Sequence, residues 1–176
     1  MVEKYNPAWA EWFHTIRQFL GGKINQTCIS IEHVGGTAVP GMSAKPIIDL
    51  DLVIKRADWE KVKAQLEERG YIHQGDPGIK DHESFDLRDE TIKAALPEHH
   101  LYVTPKDSEE LKRHIAFREY LKFHADERER LSALKWELAE KYSKDKYPYM
   151  DGKDAMVKEI LAKALACTNN KSDSLW

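Results

Sequence analysis

The sequence is poor in cysteine, and its two cysteines lie far apart. Cys28 and Cys167 form no Cys-x-x-Cys pair, the spacing that is typical of structural zinc sites and redox motifs. Disulfide frameworks are dense in cysteine and belong mostly to small secreted domains. We therefore expect no cysteine-based zinc site, no disulfide framework, and a reducing compartment.

Long hydrophobic runs and an excess of positive charge are also missing. No segment approaches the roughly 18 consecutive apolar residues of a membrane span, and residues 1–7 lack the apolar core of a signal peptide. The net charge of −3 gives no overall basic field that would gather nucleic acid. These absences predict a cytoplasmic protein, with neither a membrane nor a nucleic acid indicated as a partner.

The composition is that of an ordered domain. Hydrophobic residues make up 41% and charged residues 32% of the 176 residues, which is ordinary for a folded protein. This length fits one domain of about 100–200 residues. We divide the chain into an α/β core over residues 1–105, a helical part of the same domain over 106–167, and a disordered tail over 168–176.

Local patterns predict the order of the elements. An apolar stripe predicts a first helix that begins at Asn6-Pro7 and is closed by Gly21-Gly22. We then predict strands over 27–34 and 46–54, a helix capped by Asp58 and ended by Gly70, and antiparallel strands within 71–74, 83–88 and 99–103. Residues 90–98 fit no single pattern. Asp107 with Glu110 resembles a capping box, and apolar stripes over 131–142 and 157–165 predict C-terminal helices.

The strand over 46–54 carries two carboxylates on one face. Asp49 and Asp51 are separated by one residue, so their Cα atoms lie about 6–7 Å apart and both side chains project to the same side. Without a cation, two such buried carboxylates would repel each other. Hard oxygen ligands suit Mg²⁺, which takes the rest of its coordination shell from water and substrate phosphates.

A glycine-rich turn precedes this strand. Gly35 and Gly36 followed by Thr37 allow backbone N–H groups to approach a phosphate closely. A phosphate cradle beside a metal-binding strand is what phosphoryl or nucleotidyl transfer needs, because catalysis there is largely positioning and charge neutralisation. A tight turn that merely needs a positive φ is the alternative, and the two are compatible.

Together these segments resemble the signature of polymerase-beta-like nucleotidyltransferases: hydrophobic-Gly-Gly/Ser, a short spacer, then Asp-hydrophobic-Asp/Glu-hydrophobic. More narrowly, residues 31–41 (IEHVGGTAVPG) and 45–49 (KPIID) resemble the GrpB family, which is also called UPF0157. Residues 99–103 (HHLYV) and 113–118 (RHIAFR) resemble later blocks of that family. The resemblance covers roughly residues 5–165.

The resemblance implies an α+β, nucleotidyltransferase-like fold, in which a small mixed sheet is flanked by helices and followed by a helical C-terminal part. It also implies a site for an NTP and Mg²⁺ or Mn²⁺ around Gly35, Gly36, Asp49 and Asp51. It names no acceptor. Some relatives are fused to dephospho-coenzyme A kinase, and that fusion is the sole link to coenzyme A metabolism.

The sequence departs from the wider superfamily at one position. Active members carry a third carboxylate on a later strand, where this chain has His100 in EHHLYV. We expect His100 to be a metal ligand or a base, with Asp86 as second choice and Glu98 as a further alternative. Adjacent strand residues point in opposite directions, so at most one of His99 and His100 faces the site.

Three cations are candidates for binding the triphosphate. Lys45 precedes the aspartate strand and either contacts phosphate or is merely solvated. Arg113 and Arg118 lie on the predicted helix after the last strand. They either neutralise phosphate charge or belong to a solvent-facing surface of that helix.

These residues lead to three functional hypotheses. The first is an enzyme that transfers a nucleoside monophosphate from an NTP to an unidentified acceptor, with Asp49, Asp51 and His100 as catalytic residues. The second is a catalytically inactive nucleotide-binding or regulatory module, which the missing third acid allows. The third is an interaction domain without nucleotide binding.

Overall fold

The computed structural model describes residues 1–142 and 146–172. Six helices and five strands follow one another in these residues, with short 3₁₀ helices at Gly36–Ala38 and Arg56–Asp58. In chain order they are α1 (Ala8–Thr27), β1 (Ser30–Val34), β2 (Ile48–Ile54), α2 (Trp59–Glu68), β3 (Tyr71–Gly75), β4 (Glu83–Leu87), α3 (Glu90–Ala95), β5 (His99–Pro105), α4 (Glu109–Phe123), α5 (Ala125–Lys141) and α6 (Lys146–Ser172).

The five strands form one mixed sheet in the order β1-β2-β5-β4-β3. Strands β2 and β5 are parallel, whereas the β1–β2, β5–β4 and β4–β3 pairs are antiparallel. The antiparallel arrangement predicted for the last three strands is therefore confirmed. The parallel pairing places two interior strands side by side in register, so that residues from both share one face of the sheet.

The main core lies on one face of this sheet. The residues of β2 that alternate with the aspartates, Ile48, Leu50, Leu52 and Ile54, are all buried there. They pack against the apolar faces of α1 and α2, which include Trp9 and Leu66. The period of two along β2 thus sends its apolar side chains to α1 and α2, and its aspartates to the opposite face.

The C-terminal helices lie on the aspartate side of the molecule. Val39 and Met42, from the connection between β1 and β2, form a second apolar cluster with Leu121 of α4, Leu131 of α5 and Ile160 of α6. Helix α4 also contacts β1 and β5. These contacts anchor the helical part beside the glycine turn and the aspartate strand. Within the part of the chain described above, no helix combines the length and apolarity needed to cross a bilayer.

The first helix does not end where the sequence predicts. Gly21 has a non-helical backbone (φ 81°, ψ 174°), but helical structure resumes and continues to Thr27. The Asn25 side chain donates to the carbonyls of Arg17 and Gly21 at 3.1 and 2.8 Å, which satisfies groups that the break would leave unpaired. Ile24, in this last part of the helix, is buried in the core. Because the helix continues to Thr27, β1 begins at Ser30 rather than at residue 27.

Several predicted helix ends also shift. Ser108, rather than Asp107, caps α4 by accepting the N–H groups of Glu110 and Leu111, because Asp107 is paired with Arg56 at 3.1 Å. Helix α2 begins directly after Asp58 as predicted, but the Asp58 side chain makes no capping hydrogen bond, and Asp58 ends a short 3₁₀ helix.

Two further segments gain helical structure. In the ambiguous segment 90–98, residues 90–95 form α3, whose cap is Asp89. Helix α6 continues to Ser172. Residues 168–172, for which the sequence predicts a disordered tail, are therefore helical. Residues 173–176 of that predicted tail lie outside the described residues.

Candidate functional site

The candidate site begins on the sheet face opposite α1. Asp49 pairs in register with His100, and Asp51 pairs with Tyr102. Because residues at alternate positions of parallel strands project to the same side, these four side chains share one face. His99 lies on the other face, where its Nε2 contacts the Tyr71 hydroxyl at 2.7 Å. The prediction that the two histidines point in opposite directions is confirmed.

Asp51 is fully buried. Its Oδ2 accepts a hydrogen bond from His114 Nδ1 at 2.6 Å, and His114 Nε2 lies 3.3 Å from Glu110 Oε1. Burial opposes a charge on His114, but the hydrogen bond and charge of Asp51 outweigh it and raise the pKa of His114. Asp51 Oδ1 has no hydrogen-bond partner among the described residues, so this buried carboxylate is satisfied on one side alone.

A second buried histidine approaches the unpartnered oxygen. His82 immediately precedes β4, is 3% exposed, and stacks on Tyr102 with ring centroids 3.9 Å apart. Its Nδ1 lies 4.0 Å from Asp51 Oδ1 and 3.4 Å from Thr104 Oγ1. Burial lowers the pKa of His82. Asp51, His82 and His114 each offer one ligand atom, and these atoms lie within 4.8 Å of one another.

Asp49 occupies a more open position beside the glycine turn. Its Oδ1 lies 2.9 Å from His100 Nδ1, and its side chain is 32% exposed. Gly35 has φ 74°, and a Cβ at this position would overlap the Asp49 carboxylate. Both its backbone conformation and the space beside Asp49 therefore require glycine at position 35.

Thr37 connects the glycine turn to the start of β2. Its buried hydroxyl donates to the Ile47 carbonyl at 3.2 Å and lies 2.9 Å from His33 Nε2. The Thr37 hydroxyl already donates to Ile47, so we assign the proton of the second contact to His33 Nε2. Burial lowers the pKa of His33 to about 4, which agrees with a neutral ring. Thr37 thus holds the turn in position relative to Asp49.

The three predicted cations occupy different surroundings. Lys45 Nζ lies 4.2 Å from the centre of the Tyr149 ring. Arg118 holds α4 against β1, donating at 2.9 Å to both Glu32 Oε2 and the His33 carbonyl. Arg113 lines the cavity described next.

A cavity of about 400 Å³ lies between the sheet face and the C-terminal helices. Gly35, Gly36 and Asp49 line one side, His82, Tyr102 and His114 line another, and Lys135 and Lys153 contribute two amines. The remaining wall is apolar and includes Phe117, Leu131 and Val157. Asp86 and Glu98 instead line a hollow beside α3, and Asp86 Oδ1 is paired with Lys93 Nζ at 3.2 Å.

Sequence reasoning missed the two lysines of this cavity. Lys135 is 8% exposed, donates to the Ser43 carbonyl at 3.1 Å, and stands beside Gly36, where a Cβ would lie 2.8 Å from its Nζ. Burial lowers the pKa of Lys135 to about 7 and also lowers that of Lys153. The sequence signal for Lys135 was its position in the apolar stripe between Leu131 and Leu138. Charged residues rarely occupy such buried positions without a role.

His82 and His114 were also missed. His114 lies in the block 113–118, whose two arginines are the more evident candidates for binding phosphate. His82 lies in a polar loop outside every motif. His114 shares a helix face with Glu110, four residues earlier, and that i, i+4 spacing was the one local signal.

Comparison with known proteins identifies close relatives. A family model described as GrpB protein matches residues 1–163. A UPF0157 protein of Pseudomonas aeruginosa is 33% identical over 172 residues, which cover 94% of this chain and 67% of that protein. The crystal structure of the conserved protein GrpB from Enterococcus faecalis superposes with a TM-score of 0.81 and 31% identity, covering 96% of this chain and 99% of that one.

A more distant likeness concerns the fold alone. The structure of Cid1 in complex with the UTP analogue UMPNPP has a TM-score of 0.52 and 11% identity, over 80% of this chain and 42% of Cid1. Another Cid1 structure describes that protein as a poly(U) polymerase. The five-stranded sheet and its helices therefore form a nucleotidyltransferase-like α+β fold, as the sequence predicts.

Replacing Gly35 tests the close approach of the turn to Asp49. We expect Gly35→Ala to lower the free energy of unfolding by about 1–3 kcal/mol, because alanine is strained at φ 74° and its Cβ meets the Asp49 carboxylate. Urea unfolding measures the change. Gly22→Ala is the matched control, because a Cβ there has no atom within 4 Å. Equal stability of Gly35→Ala and the wild type would contradict this account.

Proposed function

The chain belongs to the GrpB family, and we propose that it binds an NTP with a divalent cation and transfers a nucleoside monophosphate to an acceptor. The observation that carries the proposal is the position of the Asp49 carboxylate against the glycine turn at the cavity, with Asp51 two residues further along the same face of β2. Asp49 lies against Gly35, and the buried Asp51 keeps one oxygen without a partner among the described residues. The nucleotidyltransferase-like fold is consistent with this use of the site.

The residues present fit a divalent cation. A fully buried carboxylate oxygen without a donor is costly unless something else satisfies it. Asp49 and Asp51 would hold the Mg²⁺ or Mn²⁺, which supplies charge neutralisation and polarises the phosphate that is attacked. In this arrangement His100 would position the Asp49 carboxylate, because its Nδ1 lies 2.9 Å from Asp49 Oδ1.

The glycines and lysines support triphosphate binding. Gly35 and Gly36 leave room beside Asp49 and the Lys135 amine, and Lys153 lines the same cavity. The buried amines of Lys135 and Lys153 have few neighbouring groups that stabilise their positive charge, and a bound triphosphate would stabilise it. Arg113 at the same cavity adds a further cation. Lys45 and Arg118, which are engaged with Tyr149 and Glu32, are secondary candidates.

A second candidate function is nucleotide binding without transfer. It is favoured by His100, which occupies the position on β5 opposite Asp49, where the resemblance implies a third carboxylate in active nucleotidyltransferases. Without that acid, the attacking hydroxyl needs another base. His100 is the residue that would act as the base if transfer occurs.

The two aspartates provide the main test. We expect Asp49→Asn and Asp51→Asn each to weaken Mg²⁺-dependent NTP binding about 10- to 100-fold, because each removes a charged ligand. Calorimetric titration with nonhydrolysable NTP and Mg²⁺ measures the affinity, and circular dichroism confirms the fold. Asp126→Asn, at an exposed position of α5, is the control. Unchanged affinity in both site variants would overturn the proposal.

Label transfer separates the enzyme from the binding module. We expect wild-type protein, incubated with α-³²P-labelled NTPs and a cell extract, to transfer label to an acceptor, and His100→Ala to lose that transfer while retaining NTP binding. Chromatography of the labelled products measures it. Saturable NTP binding with no labelled product would favour the module that binds nucleotide alone.

Lys135 provides a test that does not depend on turnover. Its pKa of about 7 leaves the amine mostly neutral at about pH 8, and a bound triphosphate raises that pKa again. NTP binding at about pH 8 should therefore take up protons, whereas uptake should fall toward about pH 6, where Lys135 is already charged. Calorimetry in buffers of different ionisation enthalpy measures the uptake.

Two variants complete that test. Lys135→Met should reduce the proton uptake at about pH 8, whereas Lys158→Met should not, because Lys158 is 74% exposed on α6. Uptake that is equal in all three proteins would exclude Lys135 from the triphosphate site.

A further inference from the structure

The deepest polar cluster in the described part of the chain combines one carboxylate with two imidazoles. Asp51, His82 and His114 come from β2, from the loop before β4 and from α4, and their ligand atoms lie within 4.8 Å of one another. Asp51 and His82 are almost completely buried, and the His114 side chain is 27% exposed. Because these side chains are mostly buried, the cluster is not a set of ordinary solvated surface residues.

Distances within the cluster leave space for an ion. Asp51 Oδ1 lacks a hydrogen-bond partner among the described residues, and the nearby His82 Nδ1 stands 4.0 Å away. That gap is too long for a hydrogen bond, and an ion held tetrahedrally at about 2.0–2.2 Å from each atom would draw the two atoms together to roughly 3.4 Å. His114 Nδ1 donates to the other oxygen of the same carboxylate, and metal binding would replace that hydrogen bond and release the Nδ1 proton, leaving Nε2–H to face Glu110.

We propose that Asp51, His82 and His114 form a binding site for a divalent transition-metal ion of the Zn²⁺ type, which shares Asp51 with the Mg²⁺ position at Asp49 and Asp51. Imidazole nitrogens favour such ions over Mg²⁺, which prefers oxygen ligands and water. Three protein ligands leave a coordination position open. His82 and His114 line the cavity with Lys135, so the cluster borders the space where a phosphate would lie.

The surroundings hold both imidazoles in place. His82 stacks on Tyr102, and its neighbour Asp81 forms two hydrogen bonds of 2.8 Å with the guanidinium of Arg56. Glu110 faces the second nitrogen of His114 at 3.3 Å. Carboxylates that orient the outer nitrogen of a ligating histidine are characteristic of protein metal sites.

The site goes beyond the proposed function, although both use Asp51. A transition-metal ion here would bind the protein without nucleotide, whereas the Mg²⁺ of the transfer reaction arrives with the triphosphate. The two ideas can therefore fail separately. Metal binding measured without NTP tests this site, and NTP binding in Mg²⁺ tests the other.

Titration with Co²⁺ in the absence of nucleotide provides the test. Wild-type protein should bind one Co²⁺ with the strong visible absorption of a four- or five-coordinate ion, and excess Mg²⁺ should not displace it. His82→Gln and His114→Gln should each weaken binding by at least about tenfold. Asp49→Asn should retain Co²⁺ binding while losing Mg²⁺-dependent NTP binding.

A matched control and an independent measurement guard against misfolded variants. His73→Gln should not change Co²⁺ binding, because His73 pairs with Glu83 at 2.7 Å outside the cluster. Anomalous diffraction from wild-type crystals soaked in Zn²⁺ should give a peak between Asp51, His82 and His114. The proposal is overturned if no peak appears there, or if Co²⁺ affinity survives both substitutions in the cluster.

Discussion

The carboxylate of Asp51 is withdrawn completely from solvent on an interior strand of the sheet. Burying a carboxylate without compensation is among the most unfavourable arrangements in a protein interior. Compensation comes from one side through His114 of α4, whose ring is in turn faced by Glu110. The placement of α4 over the sheet is therefore coupled to the charge of a residue far earlier in the chain. The other oxygen of Asp51 has no hydrogen-bond partner among the described residues, and both proposed cation positions rest on it.

The two aspartates of β2 have different environments despite their identical spacing. Asp51 faces buried imidazoles, whereas Asp49 is partly exposed and lies against the glycine turn. This difference follows from the packing of the C-terminal helices, since α4 brings His114 onto the Asp51 carboxylate and Asp49 lines the cavity beside Gly35. One strand thus presents an accessible carboxylate toward the phosphate space and a buried one toward His82 and His114.

The charge distribution of the cavity separates two kinds of chemistry. Carboxylates and imidazoles converge on the sheet side, whereas Lys135 and Lys153 approach from the helical part. Burial lowers the pKa of Lys153 and lowers that of Lys135 to about 7, so the Lys135 amine carries only part of a positive charge near neutral pH without a ligand. An anionic ligand bound with a cation complements both sides. The helical part therefore contributes the cationic side of the site, while the sheet contributes the carboxylate side.

Local sequence patterns determined much of this architecture. The alternation along residues 46–54 predicted which side chains of β2 enter the core, because a strand has a period of two whatever its partners are. The glycines at 35 and 36 and the spacing to Asp49 likewise indicated a glycine turn beside the aspartate strand, whereas the close approach of that turn to the Asp49 carboxylate came from the structure. Helix ends were less predictable. The cap of α4 lies at Ser108 instead of Asp107, whose side chain pairs with Arg56.

Only the tertiary structure decided which residues accompany Asp49 and Asp51. Lys135 and His114 reach the cavity because α5 and α4 pack against the turn and the sheet, and His82 because a loop brings it onto Tyr102. Their local sequence offers only the position of Lys135 in an apolar stripe and the i, i+4 spacing of Glu110 and His114, and neither signal indicates which residues they meet. A local pattern encodes which face of an element is buried, whereas the meeting of distant side chains depends on how whole elements cross. The sequence thus determined the aspartate strand and its glycine turn, and the packing of the helices decided what surrounds them.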